Sequence, residues 1–414
     1  MPVKSKLKTF VMDSGERYCL LVDSHSSLPL FYPNLYITTQ VRNRSLSYSA
    51  MEATLGSISV LIKFLDKQND NIEDRLQNNR FFQENELDAL KDFCQVNFRA
   101  TTYTNHLLPF PKRVGNNKKV SSETEYVRIT VIARYIAWLS TQILGSNQNQ
   151  LTALQIRKID RSLKARRPEK KQRNGEFYNK GLNEEQIALI FEVFRPESTL
   201  NPFKDTSTRI RNRLIFLMLY HLGLRGGELL NVRICDIDFG KNQLVIARRA
   251  DEKDDPRTFQ PLVKTLDRRL PLKDTLVKEI HCYIINERKK VPNSSKNDFL
   301  FITHKSGPTQ GLPLSKSGYK KIVNIVRNTS PALFNLTGHQ LRHTWNEIFS
   351  NYMDSMDQKP SEEQQEKMRS YLMGWKENSG SAAHYNKRFI RKKANEASLK
   401  LQDGMIRLPK ERND

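Results

Sequence analysis

The spacing of apolar residues changes along the chain, from short alternating runs to a helical repeat, at about residue 47. Residues 9–12 and 18–22 are apolar runs on either side of a turn that contains glycine, which predicts a β-hairpin. Residues 28–39 are apolar and aromatic but are interrupted by two prolines, which indicates an extended segment. We therefore expect residues 1–46 to form a strand-rich N-terminal extension that packs on the following domain.

A helical repeat of apolar residues covers residues 47–160. A capping-box pattern at Ser49-Ala-Met-Glu52 precedes an apolar face in which residues three and four apart share one side. A second capping-box pattern, Ser122-Glu-Thr-Glu125, precedes another long run with the same period. These patterns predict a small all-helical domain.

A basic segment follows the predicted helical domain. Residues 157–173 hold nine Lys and Arg residues against two acidic ones, and Pro168 and Gly175 interrupt any helix. A charge run of this kind is usually a solvated linker, and we place that linker at residues 161–180. The alternative interpretation, that the same residues also lie along phosphates, stays open.

From residue 181 the pattern indicates a second domain that mixes helices with a few strands. Residues 244–247 and 260–272 alternate like the strands of a hairpin, with a charged turn between them. Helical patterns flank this hairpin on both sides and continue to about residue 392. Residues 393–414 form a basic tail. The expected fold class is mainly α with a small β-sheet, that is, α+β.

The charge balance points to a polyanionic partner. The chain has 414 residues, of which 68 are Lys or Arg and 45 are Asp or Glu, so its net charge is +23. An excess of this size is typical of nucleic-acid-binding proteins. We find no apolar run of the roughly 18–20 residues needed to cross a bilayer and no signal-peptide core, so no membrane partner is expected. The four cysteines form no Cys-x-x-Cys pair, which argues against disulfides and thiolate zinc sites.

Two segments carry arginines in settings that suit phosphate binding. Arg225 lies in a glycine-bracketed turn, Leu-Gly-Leu-Arg-Gly-Gly-Glu-Leu, where the backbone can approach a ligand closely. Arg342 follows His339 by three residues in Gly-His-Gln-Leu-Arg-His-Thr, so both share one face near a helix N-terminus. An arginine offers a planar fork that matches phosphate oxygens. The alternative for the first segment is an ordinary helix–helix corner.

Three further residues complete the candidate site. Lys264 lies on the predicted hairpin, Trp375 lies in a Met-Gly-Trp string, and Tyr385 follows ten residues later in a basic setting. A phenol is a weak nucleophile until its surroundings activate it. His339 and His343 have a spacing that metal ligands use, but no acidic or cysteine ligand accompanies them, so we expect no metal and no cofactor.

These motifs resemble those of the tyrosine recombinase (phage integrase) family. Their order along the chain is arginine, lysine, His-x-x-Arg, Gly-Trp and tyrosine. The resemblance covers residues 181–392, and by position residues 47–160 resemble the family's core-binding domain. It implies that these two domains form a clamp around duplex DNA. The 1–46 extension has no family equivalent, and its alternative role is an additional contact with DNA.

The resemblance also implies a role for each residue. Arg225 and Arg342 would clamp the scissile phosphate, and His339 would bind it and help to deprotonate the nucleophile. Lys264 would protonate the departing 5′ oxygen, and Tyr385 would form a 3′-phosphotyrosyl link. Trp375 would occupy the position held in the family by His or Trp. In a supporting role, Glu228 would orient Arg225.

Two assignments have alternatives. The interval from Trp375 to Tyr385 is about one residue longer than usual in the family, and Tyr371 is the nearest other tyrosine. For Lys264, a different hairpin register would bring in Lys253.

Site-specific recombination of double-stranded DNA by a homotetramer is the expected activity, with accessory DNA-bending or directionality proteins as possible partners. A cytoplasmic, nucleoid-associated protein is expected. The alternatives are a type IB topoisomerase or telomere resolvase with the same residues, or a non-catalytic DNA-binding protein that keeps the fold.

Overall fold

The computed structural model describes residues 5–44, 47–98, 119–145, 150–169, 181–376, 394–395 and 397–402. The chain divides into two compact units, Met1–Phe177 and Tyr178–Asp414. Among the described residues, every helix is too short or too polar to span a lipid bilayer.

The N-terminal unit begins with the predicted hairpin. Strands β1 (Ser5–Val11) and β2 (Arg17–Asp23) pair antiparallel, with Ser5 opposite Asp23. The prediction of an extended segment after the hairpin is wrong, because residues Phe31–Tyr36 form a helix, α1. Pro33 lies in its first turn, where the missing N–H is not needed, so the proline does not prevent a helix. The Asn34 side chain bonds the backbone N–H and C=O of Leu21, which ties α1 to β2.

Five α-helices of various lengths follow in the described part of this unit. They are α2 (Tyr48–Asp66), α3 (Ile72–Gln77), α4 (Glu84–Cys94), α5 (Ser122–Leu144) and α6 (Gln150–Ala165). Their apolar faces and the inner face of the hairpin share one core, to which β2 contributes Cys19 and Leu21. The extension therefore packs on the helices, as expected.

Helix α6 extends into the segment predicted as a linker. It ends at Ala165, beyond the predicted linker start at residue 161, because Ile159 and Leu163 are buried between the basic residues. The charge run is thus one face of an amphipathic helix over part of its length.

The C-terminal unit surrounds a small sheet with helices. The helices are α7 (Glu184–Phe194), α8 (Thr206–Leu222), α9 (Gly226–Leu229), α10 (Asp274–Cys282), α11 (Lys316–Arg327), α12 (Gly338–Ser355) and α13 (Glu362–Met373). The strands β3 (Ile237–Asp238), β4 (Gln243–Ile246) and β5 (Arg268–Pro271) pair antiparallel in that order. Helix α8 is apolar on most sides because it runs through the core. The predicted fold class, mainly α with small β-sheets, is confirmed.

The strand predicted at residues 260–272 is mostly wrong, because only its last third pairs with β4. Residues 247–267 form a long connection that other parts of the unit hold in place. Buried Arg257 in this connection donates to the carbonyl oxygens of Leu230 at 2.9 Å and Leu314 at 3.1 Å, and it pairs with Asp255. Lys264 therefore lies in this anchored connection, ahead of β5, and not on a strand.

Candidate active site

Arg342 is held at the convergence of three helices. It lies in the second turn of α12, whose N-terminus is fixed by a capping box between Thr337 and Gln340. Its guanidinium is almost completely buried and donates to the carbonyl oxygens of Gly223 at 2.8 Å and Met373 at 2.9 Å. These carbonyls lie at the C-terminal ends of α8 and α13, where peptide dipoles carry partial negative charge.

Glycines allow both helices to end at this arginine. Gly223, which follows α8, has a φ of 59°, and Gly374, which follows α13, has a φ of 63°. Side chains other than glycine rarely adopt this left-handed conformation. Space is limiting as well, because a Cβ at Gly223 would lie 2.9 Å from the Met373 side chain. The glycines of the two motifs thus serve the placement of Arg342.

A buried carboxylate connects the other basic residues. Glu228 in α9 accepts hydrogen bonds from Thr265 Oγ1 at 2.8 Å, Arg268 Nη2 at 2.8 Å and the Arg225 backbone N–H at 3.1 Å. Its oxygens also lie 3.4 Å from Arg225 Nη1 and 3.8 Å from Arg342 Nη1. Burial by itself raises the pKa of the Glu228 carboxyl. The charges of Arg268 and Arg342 and these hydrogen bonds outweigh burial and hold the pKa below its usual range.

Arg225 differs from Arg342 in exposure. It is the N-cap residue of α9, and its side chain is 30% exposed while it contacts Glu228. A cation that is fixed at one side and open at the other suits contact with a large anion. The expectation that Glu228 orients Arg225 agrees with this geometry.

Lys264 has an exposed side chain in a segment whose next two residues are fixed. Thr265 is bonded to Glu228, and the Leu266 N–H donates to Gly374 O at 2.9 Å. The alternative lysine, Lys253, is also exposed but lies earlier in the connection.

His339 and Trp375 lie on opposite sides of Arg342 in the sequence. His339 is exposed in the first turn of α12, and its ring meets that of His343 edge-on at 4.6 Å between centroids. Trp375 is buried directly after the Gly374 turn, with the Arg342 guanidinium 5.4 Å from its ring centroid. Such a contact is a cation–π interaction. It gives Trp375 a contact that the sequence did not predict.

The structure thus connects Arg225, Arg342 and the Lys264 segment through Glu228, and it places Trp375 against Arg342. Tyr385 lies outside the described residues, as does the Asn378-Ser-Gly-Ser381 segment. The sequence analysis missed the contact between Arg268 and Glu228. The described residues contain no group of three or more His, Cys, Asp or Glu side chains placed to hold a metal ion.

Residues 182–357 match the model of the phage integrase family. The chain therefore carries a domain of this family of tyrosine recombinases over residues 182–357. The matched residues include Arg225, Lys264, His339 and Arg342, whereas Trp375 and Tyr385 follow the matched region. The predicted family and enzyme class are thereby confirmed.

Similar proteins agree with this assignment. This chain is 23% identical over 275 residues to "Tyrosine recombinase XerC" of Staphylococcus aureus (strain USA300 / TCH1516), and the match covers 66% of this chain and 73% of the relative. The protein of the same name from strain JH9 is 24% identical over 276 residues, with the same coverage. Among solved structures, a post-cleavage complex of the XerH site-specific recombinase bound to palindromic difH substrate superposes with a TM-score of 0.51. It is 17% identical, and the match covers 88% of this chain and 84% of that one. This likeness shows the shared fold.

Proposed function

We propose that this protein is a site-specific DNA recombinase that cleaves and religates duplex DNA through a 3′-phosphotyrosyl intermediate formed by Tyr385. The observation that carries the proposal is the pair of arginines around one buried carboxylate. Arg342 is fixed by two helix ends, and Arg225 is fixed by Glu228 while it remains partly exposed. Preorganised donors of this kind stabilise charge that develops in a transition state.

The chemistry follows from the placement of charge. The Tyr385 oxygen attacks the scissile phosphorus, and His339 helps to remove the phenolic proton. As the bond from phosphorus to the 5′ oxygen breaks, Lys264 gives that oxygen a proton. Arg225 and Arg342 hold the non-bridging oxygens, on which negative charge increases. The phosphotyrosyl bond conserves the energy needed for religation, so no nucleotide cofactor is required.

Double-stranded DNA is the proposed substrate, which the net charge of +23 supports. The helices of residues 47–160 and the catalytic domain of residues 181–392 would clamp it, with residues 161–180 as the linker between them. We further propose a homotetramer on two duplexes, aided by DNA-bending or directionality proteins, in the bacterial cytoplasm at the nucleoid. The XerH recombinase was solved bound to its difH substrate, which supports DNA binding by the shared fold.

The test uses nicked suicide substrates made from the DNA that flanks the gene, analysed on denaturing gels. The wild-type protein should give a covalent protein–DNA band, and Tyr385→Phe should abolish it. Tyr371→Phe is the matched control, because Tyr371 is 60% exposed and is the nearest other tyrosine. A band that persists in Tyr385→Phe and disappears in Tyr371→Phe would contradict the assignment of the nucleophile.

A further inference from the structure

Arg268 is a buried charge near the candidate site with hydrogen bonds to three segments of the chain. It begins β5, and its side chain is only 1% exposed. Each of its three guanidinium nitrogens bonds a different segment. Nε donates to Leu372 O at 2.7 Å, Nη1 to Thr265 Oγ1 at 3.0 Å and Nη2 to Glu228 Oε2 at 2.8 Å.

Each of these partners adjoins a residue to which we assign a part in the reaction. Thr265 directly follows Lys264, Glu228 binds Arg225, and Leu372 lies in the last turn of α13, three residues before Trp375. The turn at Gly374 lies against the same guanidinium, since a Cβ there would be 2.7 Å from Arg268 Nη1. One side chain therefore joins three segments that are far apart in the sequence.

The contacts of Arg268 lie within the protein. All three of its guanidinium nitrogens bond other parts of this unit, so its donors are directed to protein groups. A buried ion pair is also a weak source of stability, because desolvation of both charges offsets their attraction. What the arrangement provides is a fixed geometry among its partners.

We propose that Arg268 is a positioning residue that holds the Lys264 segment and the Gly374 turn in register with Glu228. The proton donor for the leaving 5′ oxygen is then placed relative to the phosphate clamp before DNA arrives. This inference rests on the proposed function and adds to it a residue that does not touch the substrate.

The test compares two suicide substrates that differ only at the scissile linkage. In one the leaving atom is the usual 5′ oxygen, and in the other it is sulfur. A thiol has a pKa of about 8.5, so the thiolate leaves without a proton donor. Lys264→Ala should therefore lose about 10²-fold or more in rate on the oxygen substrate and recover on the sulfur substrate.

The variant Arg268→Met removes the charge and the hydrogen-bond donors and keeps an unbranched side chain. We expect it to cleave the oxygen substrate about 10²-fold more slowly and to recover in part with sulfur. Its sulfur-to-oxygen rate ratio should exceed the wild-type ratio by at least about 10-fold. A merely structural role would lower both rates by the same factor, and an unchanged ratio would overturn the proposal.

Two further variants keep the test decisive if Arg268→Met does not fold. Thr265→Val removes the hydrogen bonds of Thr265 Oγ1 with Arg268 and with Glu228 and leaves the pair between Arg268 and Glu228 in place, so it should raise the ratio in a folded protein. Arg288→Met is the matched control. Arg288 is also buried and donates to the carbonyl oxygens of Phe299 and Asn297, so its loss should leave the ratio unchanged. An unchanged ratio in Thr265→Val would count against the proposal as firmly as one in Arg268→Met.

Failure of the proposed function has a different signature. If the wild-type protein forms no covalent product on either substrate, the recombinase proposal fails. If Lys264→Ala does not recover on sulfur, Lys264 is not the proton donor and this role of Arg268 falls with it.

Discussion

Two sets of ion pairs, one in each unit of this protein, differ sharply in exposure. In the N-terminal unit, Arg166 bonds Glu84 at 2.9 Å and Asp88 at 2.6 Å, and these carboxylate side chains are 54% and 65% exposed. In the C-terminal unit, Glu228 and Arg268 form a pair at 2.8 Å with exposures of 0% and 1%. Exposed pairs contribute little to stability, whereas removing one partner of a buried pair is costly.

This difference separates two uses of charge. The N-terminal unit has an apolar core built from its helices and hairpin, and the pairs of Arg166 with Glu84 and Asp88 lie outside that core. The C-terminal unit has an apolar core of its own but also carries charged groups into the interior beside Arg225 and Arg342. The interior charges fix the geometry of the candidate phosphate site. Exposed side chains are more mobile and would fix that geometry less well.

The largest expected effect is on stability, from Glu228→Gln. This change keeps the shape of the side chain and leaves Arg268 and Arg342 without a buried counter-ion. We expect the C-terminal unit to lose about 3–5 kcal/mol in its free energy of unfolding. Urea unfolding followed by tryptophan fluorescence in a Trp138→Phe background measures it, because the other two tryptophans, Trp345 and Trp375, lie in the C-terminal unit.

The matched variant is Glu84→Gln in the N-terminal unit, followed through Trp138 in a background where Trp345 and Trp375 are replaced by phenylalanine. Its urea midpoint should hardly move because water already solvates that carboxylate. Equal shifts of the two midpoints would remove the contrast between the units.

The next effect is on the reaction rate, from Arg342→Lys. An ammonium keeps the charge but loses the planar fork that spans Gly223 O and Met373 O. Single-turnover cleavage of bound suicide substrate should slow by about 10²–10³-fold. Arg195→Lys, at a side chain that is 57% exposed, is the control and should cleave at the wild-type rate. A wild-type rate in Arg342→Lys would show that charge alone suffices.

A smaller effect concerns acid stability. The folded-state pKa of Glu228 lies below its ordinary value of about 4.3, so its contribution to stability is complete above that pH. The contribution is lost as the pH falls through the folded pKa, when the carboxyl becomes protonated in both states. The free energies of unfolding of wild type and Glu228→Gln should therefore converge at low pH. A gap that stays constant from pH 7 downwards would exclude this carboxylate as the cause.

The smallest expected effect is the loss of stability when one helix N-cap is removed, and it should be equal in the two units. Ser121 caps α5 and Asn183 caps α7, each accepting a backbone hydrogen bond at its helix N-terminus. Replacing either by alanine should cost about 1 kcal/mol, since capping is local. Thermal unfolding of both variants measures this. Markedly unequal costs would mean that the units differ in more than their buried charges.

The sequence predicted the elements whose signals are local. The helical repeats of α2 and α5 and the hairpin of β1 and β2 all lie within single segments. The capping boxes predicted at Ser49 and Ser122 were wrong, because the N-cap residues are Ser47 and Ser121. The helix α1 was missed because its proline was taken as a sign of extended chain. The connection at residues 247–267 was read partly as strand because its anchor, Arg257, bonds carbonyl groups that are distant in sequence.

The same limit applied to the site. Motif order identified the arginines, the histidine and the lysine, since each motif is a short string. The contacts of Arg268 with Glu228 and Leu372 join positions 40 and 104 residues apart, and no spacing or period encodes such contacts. The burial of Arg268 follows only from its inward position on β5. Tyr385 as nucleophile stays a prediction.

The partners of Arg342 have a consequence for ionic strength. Its two closest described partners are peptide carbonyls at helix ends, and these covalently fixed dipoles are not displaced by dissolved ions. Contacts between surface lysines or arginines and DNA weaken steeply as salt increases, whereas buried groups are screened far less. The salt concentration should therefore change the fraction of this protein that is bound to DNA and have little influence on the rate at which bound DNA is cleaved. Over a range of cellular ion concentrations, the cleavage rate of bound DNA would stay constant while the occupancy of the DNA site changes many-fold.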